Sequence, residues 1–165
     1  MSMYRLTASQ SFPISRETAW EFLSDPANLK VITQPSMGFE ILCGAERKIY
    51  PGQIIQYKVN PFPGYSTKWV TEITHVKDGV YFVDEQRFGP YALWHHKHFI
   101  HDIEGGVEME DIIDYKLPLG ILGDLAHPLV VKKQLVSIFQ FREEQLNKRF
   151  GTLENTSKPL NIIKI

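Results

Sequence analysis

The chain has almost no cysteine: Cys43 stands alone among 165 residues. One thiol cannot close an internal disulfide, which fits a reducing, cytoplasmic setting. Long apolar runs are missing too. Stretches such as Leu129-Val130-Val131 fall far short of the about 20 residues of a bilayer span, and Met1-Ser2-Met3-Tyr4-Arg5 lacks the apolar stretch of a secretory signal. No stable membrane insertion is expected. Charge of one sign is absent as well: the net charge is −1, so nucleic acid would find no basic footprint. There is no internal repeat, no glycine fingerprint for a dinucleotide, no His-Glu-x-x-His and no cysteine pair. Nothing here asks for a cofactor. Cys43 has no histidine close in sequence and reads as a small hydrophobe rather than a nucleophile.

What is present is enough chain for one domain with a real core. Residues 4 to 11 alternate as a strand. Ser15 then caps a short helix through Leu23, and Asp25-Pro26 starts a second that ends before Pro35. Six further strands follow: Phe39 to Leu42, Ile54 to Val59, Thr67 to Lys77, Val80 to Phe88, Tyr91 to Asp102 and Val107 to Leu117. Asp78-Gly79, Gly89-Pro90 and Gly105-Gly106 supply tight turns between them, so the sheet is antiparallel. Asn60-Pro61-Phe62-Pro63-Gly64 reads as a loop, with Phe62 and Tyr65 placed to form a lid or to cap the sheet edge. From Leu122 to Phe150 the period becomes helical, with Val131, Leu135, Phe139, Leu146 and Phe150 on one side and Lys132, Lys133, Arg142, Glu143 and Glu144 on the other. The fold class is therefore α+β: a seven-stranded curved antiparallel sheet wrapped around a long C-terminal helix, with two short helices after the first strand. Residues 1–151 form the domain and 152–165 a tail whose Leu160, Ile162, Ile163 and Ile165 could add an edge strand or pack on a neighbour.

Four of six histidines crowd into one strand, Leu93-Trp94-His95-His96-Lys97-His98-Phe99-Ile100-His101. Alternation puts Trp94, His96, His98 and Ile100 on one face, and His95, Lys97 and His101 on the other. A tryptophan beside two imidazoles is apolar yet rich in donors and acceptors, which suits the wall of a cavity. Carried to neighbouring strands, the same alternation groups Trp69, Thr71 and Ile73, then Phe82, Asp84, Gln86 and Phe88, then Met109, Asp111, Ile113 and Tyr115. The expected ligand-binding residues are Trp69, Asp84, Gln86, Trp94, His96, His98, Asp111 and Tyr115, unless a bulge reverses part of the set. His96, His98 and Asp111 are the candidates for proton transfer. A satisfied buried network that orients a ligand, or only holds the sheet, explains the same residues. His96 and His98 two apart on a strand could also chelate an ion with an aspartate, though no further motif supports a metal. His127, before Pro128, reads as a helix cap, and His75 as a surface residue.

This order of elements resembles the helix-grip fold of the START-like superfamily, also called SRPBCC, over residues 3 to 151. That superfamily includes polyketide cyclase/dehydrase-like proteins and pollen-allergen-like lipid carriers. Three blocks carry the likeness: Phe12 to Leu29; Phe82 to Tyr91 running on into Trp94 and Phe99; and Asp111 to Gly120 leading into Gly123 and Pro128. Together they resemble a bacterial subgroup described as ligand-binding SRPBCC domain proteins, some of them joined to nucleotide-sugar epimerases or labelled cell division inhibitors. The missing glycine fingerprint means that epimerase chemistry does not transfer. The resemblance implies a carrier or sensor of a small, partly hydrophobic molecule, as a monomer or an oligomer. The competing implication is a cyclase, dehydratase or hydrolase acting on a polyketide-like or aromatic substrate. A third is an interaction module with a vestigial cavity. One scaffold hosts all three.

Overall fold

A computed structural model describes residues 2–62, 64–153 and 158–165. The elements run β1 (Tyr4–Phe12), α1 (Arg16–Leu23), α2 (Leu29–Ile32), β2 (Glu40–Cys43), β3 (Gln53–Phe62), β4 (Tyr65–Lys77), β5 (Tyr81–Phe88), β6 (Leu93–Ile103), β7 (Gly106–Lys116), α3 (Ile121–Ala126), α4 (Lys132–Phe150) and β8 (Asn161–Lys164). The sheet order is β2-β3-β4-β5-β6-β7-β1-β8, antiparallel throughout. Local chemistry accounts for the helix starts. The Ser15 hydroxyl accepts from Thr18 N–H, and the Asp25 carboxylate accepts from Ala27 N–H with Pro26 in the first turn of a 3-10 segment.

Three departures from the sequence reading have physical causes. The sheet has eight strands rather than seven, because the alternating tail does add an edge strand: residues 161–164 pair with β1 from Tyr4↔Lys164 to Thr7↔Asn161. The edge of β1 would otherwise leave a row of backbone donors and acceptors unpaired. Strand β3 also runs into the stretch read as a loop, ending at Phe62 with its register broken between Val59 and Phe62, where Pro61 cannot donate. Within the lid expected there, Pro63 and the Phe62 side chain lie outside the described residues, and Tyr65 is exposed. Finally, the single expected helix is divided. A π-helical turn, His127–Val131, joins α3 to α4 because Pro128 has no N–H and its ring displaces the carbonyl four residues back. Gly123 allows close packing: a Cβ there would sit 2.2 Å from the Pro118 carbonyl oxygen.

The core lies in three clusters between sheet and helices. One gathers Phe12, Ala19, Phe22, Ile100, Val107 and Leu146 at the α1 end. A second joins Leu6, Ile113, Tyr115 and Leu117 to Val131 and Leu135 of the C-terminal helix. The third holds Ile55, Tyr57, Val59, Ile73 and Phe82. Each fully buried large side chain contributes roughly 1.5–3 kcal/mol. Between the second and third clusters the helix stands away from the sheet. That separation opens the site.

Candidate functional site

Two bulges aim the site. Strand β4 carries an extra residue at Thr74, between Ile73↔Asp84 and His75↔Val83, so Thr71, Ile73 and Val76 all face inward while His75 stays outside. Strand β5 carries one at Arg87, between Thr71↔Gln86 and Val70↔Phe88. This second bulge turns Phe88 out, leaving it 72 % exposed where strict alternation had placed it inside. Strand β6 has no bulge, and Trp94, His96 and His98 face inward opposite Tyr115, Ile113 and Asp111 of β7.

These strands and α4 enclose a cavity of about 210 Å³, many times the roughly 15 Å³ that one water requires. Leu23, Leu29 and Ile32 from the short helices, Ile55 and Val59 from β3, and Leu135, Ile138 and Phe139 from α4 make most of its wall. Trp69 and Trp94 meet edge to face, centroids 5.4 Å apart, and Tyr91 leans on both. On one side this apolar lining gives way to Asp84, His96, His98 and Arg142.

The polar patch is tightly knit. His98 Nε2 donates to Asp84 Oδ2 at 2.7 Å, and His96 Nε2 donates to Asp111 Oδ1 at 2.9 Å. His98 Nδ1 lies 2.9 Å from that same Asp111 oxygen, at an angle outside hydrogen-bond geometry. Arg142 Nη2 reaches Asp111 Oδ2 at 3.2 Å. The two imidazoles are 3.6 Å apart between centroids, and the Phe82 ring stacks on His98 at 4.0 Å. Behind them the Tyr57 hydroxyl bonds Thr71 Oγ1.

Burial and charge set the protonation states. Burial alone would raise both carboxyl groups. The Arg142 guanidinium and the two histidines overcome that and hold Asp111 well below the usual range, while His98 and His96 keep Asp84 low. Burial disfavours imidazolium, yet Asp111 and Asp84 together raise His98 above its ordinary value. For His96, burial and the neighbouring His98 charge win, and its value falls. These directions favour a balanced set, two carboxylates facing one guanidinium and one imidazolium, with the shared proton on His98 rather than His96. Burial, with the charge of Asp84, pushes the Tyr57 phenol up; burial alone does so for Tyr91.

Of the expected residues, Trp69, Asp84, Trp94, His96 and His98 line the cavity together. Asp111 sits behind the histidines and pairs with Arg142. Both residues also line a second space of about 210 Å³ between α4, β1 and residues 158–160, so their ion pair lies between the two. Gln86 does not line the cavity. Its amide accepts from Tyr91 N–H and donates to Tyr91 O, bracing the β5–β6 turn where Gly89 leaves it room. Tyr115 is fully buried, and its hydroxyl pairs with His127 Nε2 at 2.6 Å. The His127 side chain therefore caps no helix, although its backbone N–H closes α3 on the Gly123 carbonyl; its ring stacks flat on Tyr4 at 3.6 Å inside the second core cluster. Cys43 is exposed on edge strand β2.

Arg142 was assigned to the solvated side of the helix and belongs inside. Its signal was present, since residues 135, 138/139, 142 and 146 form one stripe at helical spacing. Asp84, His96 and His98 also offer ligand atoms within 4.8 Å of one another, near enough to share a cation. The Arg142 guanidinium on the Asp111 side opposes a further positive charge there.

No protein-family model matches the chain, and no curated protein does. Solved structures do. Protein CV1439 from Chromobacterium violaceum is similar with a TM-score of 0.68 at 10 % identity, over 90 % of this chain and 99 % of that one. Ara h 8.0201, a helix-grip protein, aligns with a TM-score of 0.58 at 15 % identity, over 88 % of this chain and 99 % of that one. A nucleoside-diphosphate sugar epimerase from Corynebacterium glutamicum gives a TM-score of 0.65 at 22 % identity, over 86 % of this chain but only 28 % of that one. These likenesses define a class by fold. The chain is an α+β protein of helix-grip architecture.

Proposed function

We propose that the protein carries or senses a small, largely apolar molecule held between the sheet and α4, with its polar end against Asp84, His96, His98 and Arg142. The single observation that supports this is the lining: one open interior volume, apolar nearly throughout, with donors and acceptors gathered on one side. Such an arrangement gives binding energy through area and orientation through a few polar groups. We place the chain with the ligand-binding SRPBCC subgroup that its sequence resembles, as a cytoplasmic protein. Native mass spectrometry of the purified protein tests the reading. A co-purifying molecule lost in Trp94→Ala supports it; a protein that takes up no apolar probe such as an anilinonaphthalene dye overturns it.

The second reading is catalytic, and one observation favours it. His96 and His98 touch, yet their surroundings drive their proton affinities apart, leaving an acid and a base side by side in a buried site. On this reading His98, held by Asp84, protonates an oxygen of a polyketide-like or aromatic substrate, while His96 accepts a proton. His98→Ala that abolishes turnover while the ligand still binds would establish it.

A further inference from the structure

Among the described residues, every large apolar side chain more than half exposed lies at one end of the molecule. Leu119, Ile121, Leu122, Leu125 and Leu129 form most of the set, from 65 % to 79 % exposed, along α3 and the π turn. Tyr65 at the tip of the β3–β4 hairpin and Phe88 at the end of β5 complete it. The sheet register puts these turns at the same end: Leu93 pairs with Lys116, Val70 pairs with Phe88, and β3–β4 extends beyond them to Tyr65. Gln134, at the start of α4, donates to the Pro61 carbonyl there, and both residues line the cavity.

The charge on this end is predominantly positive. Lys116, Lys132 and Lys133 flank the apolar segment and Lys68 stands near the hairpin tip; none of the four makes an ion pair among the described residues. The one acid between Leu117 and Lys133 is Asp124. Its carboxylate turns back to accept from Ser2, at 3.1 Å from N–H and 3.0 Å from the hydroxyl. An apolar helical face between free lysines is the pattern of a segment lying in an anionic lipid interface. A second copy of the chain fits worse. Two such segments crossing antiparallel about Leu125 would set Lys116 of one against Lys132 and Lys133 of the other.

We infer that this end, built from α3, the π turn and the β3–β4 and β5–β6 turns, docks on the surface of an anionic phospholipid membrane. The leucines and isoleucine enter the acyl boundary, and the lysines meet the phosphates. The docking is peripheral and reversible, and it stands whatever the cavity holds.

Flotation with vesicles tests it, using phosphatidylglycerol and phosphatidylcholine in equal parts against phosphatidylcholine alone. The intact protein floats with the anionic vesicles at low salt and is released by high salt. Leu122→Asp with Leu125→Asp lowers binding about a hundredfold or more. Lys133→Glu lowers it more than the about fivefold, roughly 1 kcal/mol, expected for loss of one basic residue. All three side chains are exposed, so circular dichroism and melting temperature stay as in the parent. Failure to float with anionic vesicles, or flotation unchanged by the leucine pair, overturns the inference. So does a dimer in sedimentation velocity that Leu122→Asp dissolves while vesicle binding is absent.

Discussion

Strand β6 offers the same chemistry twice. Inside, His96 and His98 pair with Asp111 and Asp84 at 2.9 and 2.7 Å; outside, His101 pairs with Glu110 at 3.0 Å and His95 lies 3.3 Å from Glu85. The lengths barely differ. Their surroundings do: the inner side chains are almost wholly enclosed, while His101 is about half exposed. Water screens the outer pairs and leaves them worth little, whereas the inner ones keep most of their Coulomb energy and also bear the cost of desolvation. Distance alone does not grade an ion pair.

The sharpest way to break this contrast is Asp111→Asn. It leaves the Arg142 guanidinium buried without its counter-charge and takes from His98 one of its two carboxylates, and stability falls by about 3–5 kcal/mol. Glu110→Gln, its neighbour on the outer face, changes stability by less than about 1 kcal/mol. Urea denaturation of both variants reads the difference, and equal losses would mean that burial does not separate the two faces.

Gln86→Ala has an intermediate effect. Losing both amide bonds to Tyr91 costs about 1–2 kcal/mol, and it loosens the turn that carries Tyr91 and Trp94 toward the cavity. Thermal melts give the cost. A ligand titration would show affinity falling even though Gln86 itself never meets the ligand.

The pH profile sharpens the comparison most finely. His98 is raised in the folded state, so its contribution is complete below the ordinary histidine value of 6.5 and fades as pH climbs through the folded value. His96 is lowered, so the unfolded chain takes up its proton first, and stability drops as pH falls below 6.5. The two slopes oppose, and stability peaks near 6.5. Deeper acidification then removes the contribution of Asp84 and Asp111, whose folded values are depressed. Melting curves across this range should show the peak in the parent and lose its alkaline slope in His98→Ala. The same slope persisting in that variant would place the titrating group elsewhere.

Much of this was legible in the residues. Alternation along β6 assigned all four clustered histidines to their correct faces, because that strand runs without a bulge. The same rule failed for Phe88, one residue past the Arg87 bulge, since an extra residue reverses every face beyond it. Gln86 kept its expected strand position, but its amide was taken by the neighbouring turn. Tyr115 faced inward as expected, only to find His127 and Tyr4 rather than the cavity. Arg142 lay on the inner helical stripe all along. Its charge argued for solvent, and only Asp111 on a distant strand explains why it is buried.

The sequence by itself determined the periods: which segments become strands, where the helices start, and that Trp94, His96 and His98 share a face. Those are local consequences of backbone geometry, readable one residue after another. The tertiary structure decided where the faces converge, which aspartate meets which histidine, and how far the helix stands from the sheet. It also decided that a C-terminal stretch would complete the sheet edge. Such matters depend on contacts between residues distant in the chain, where packing and desolvation act on pairs that no local pattern reveals.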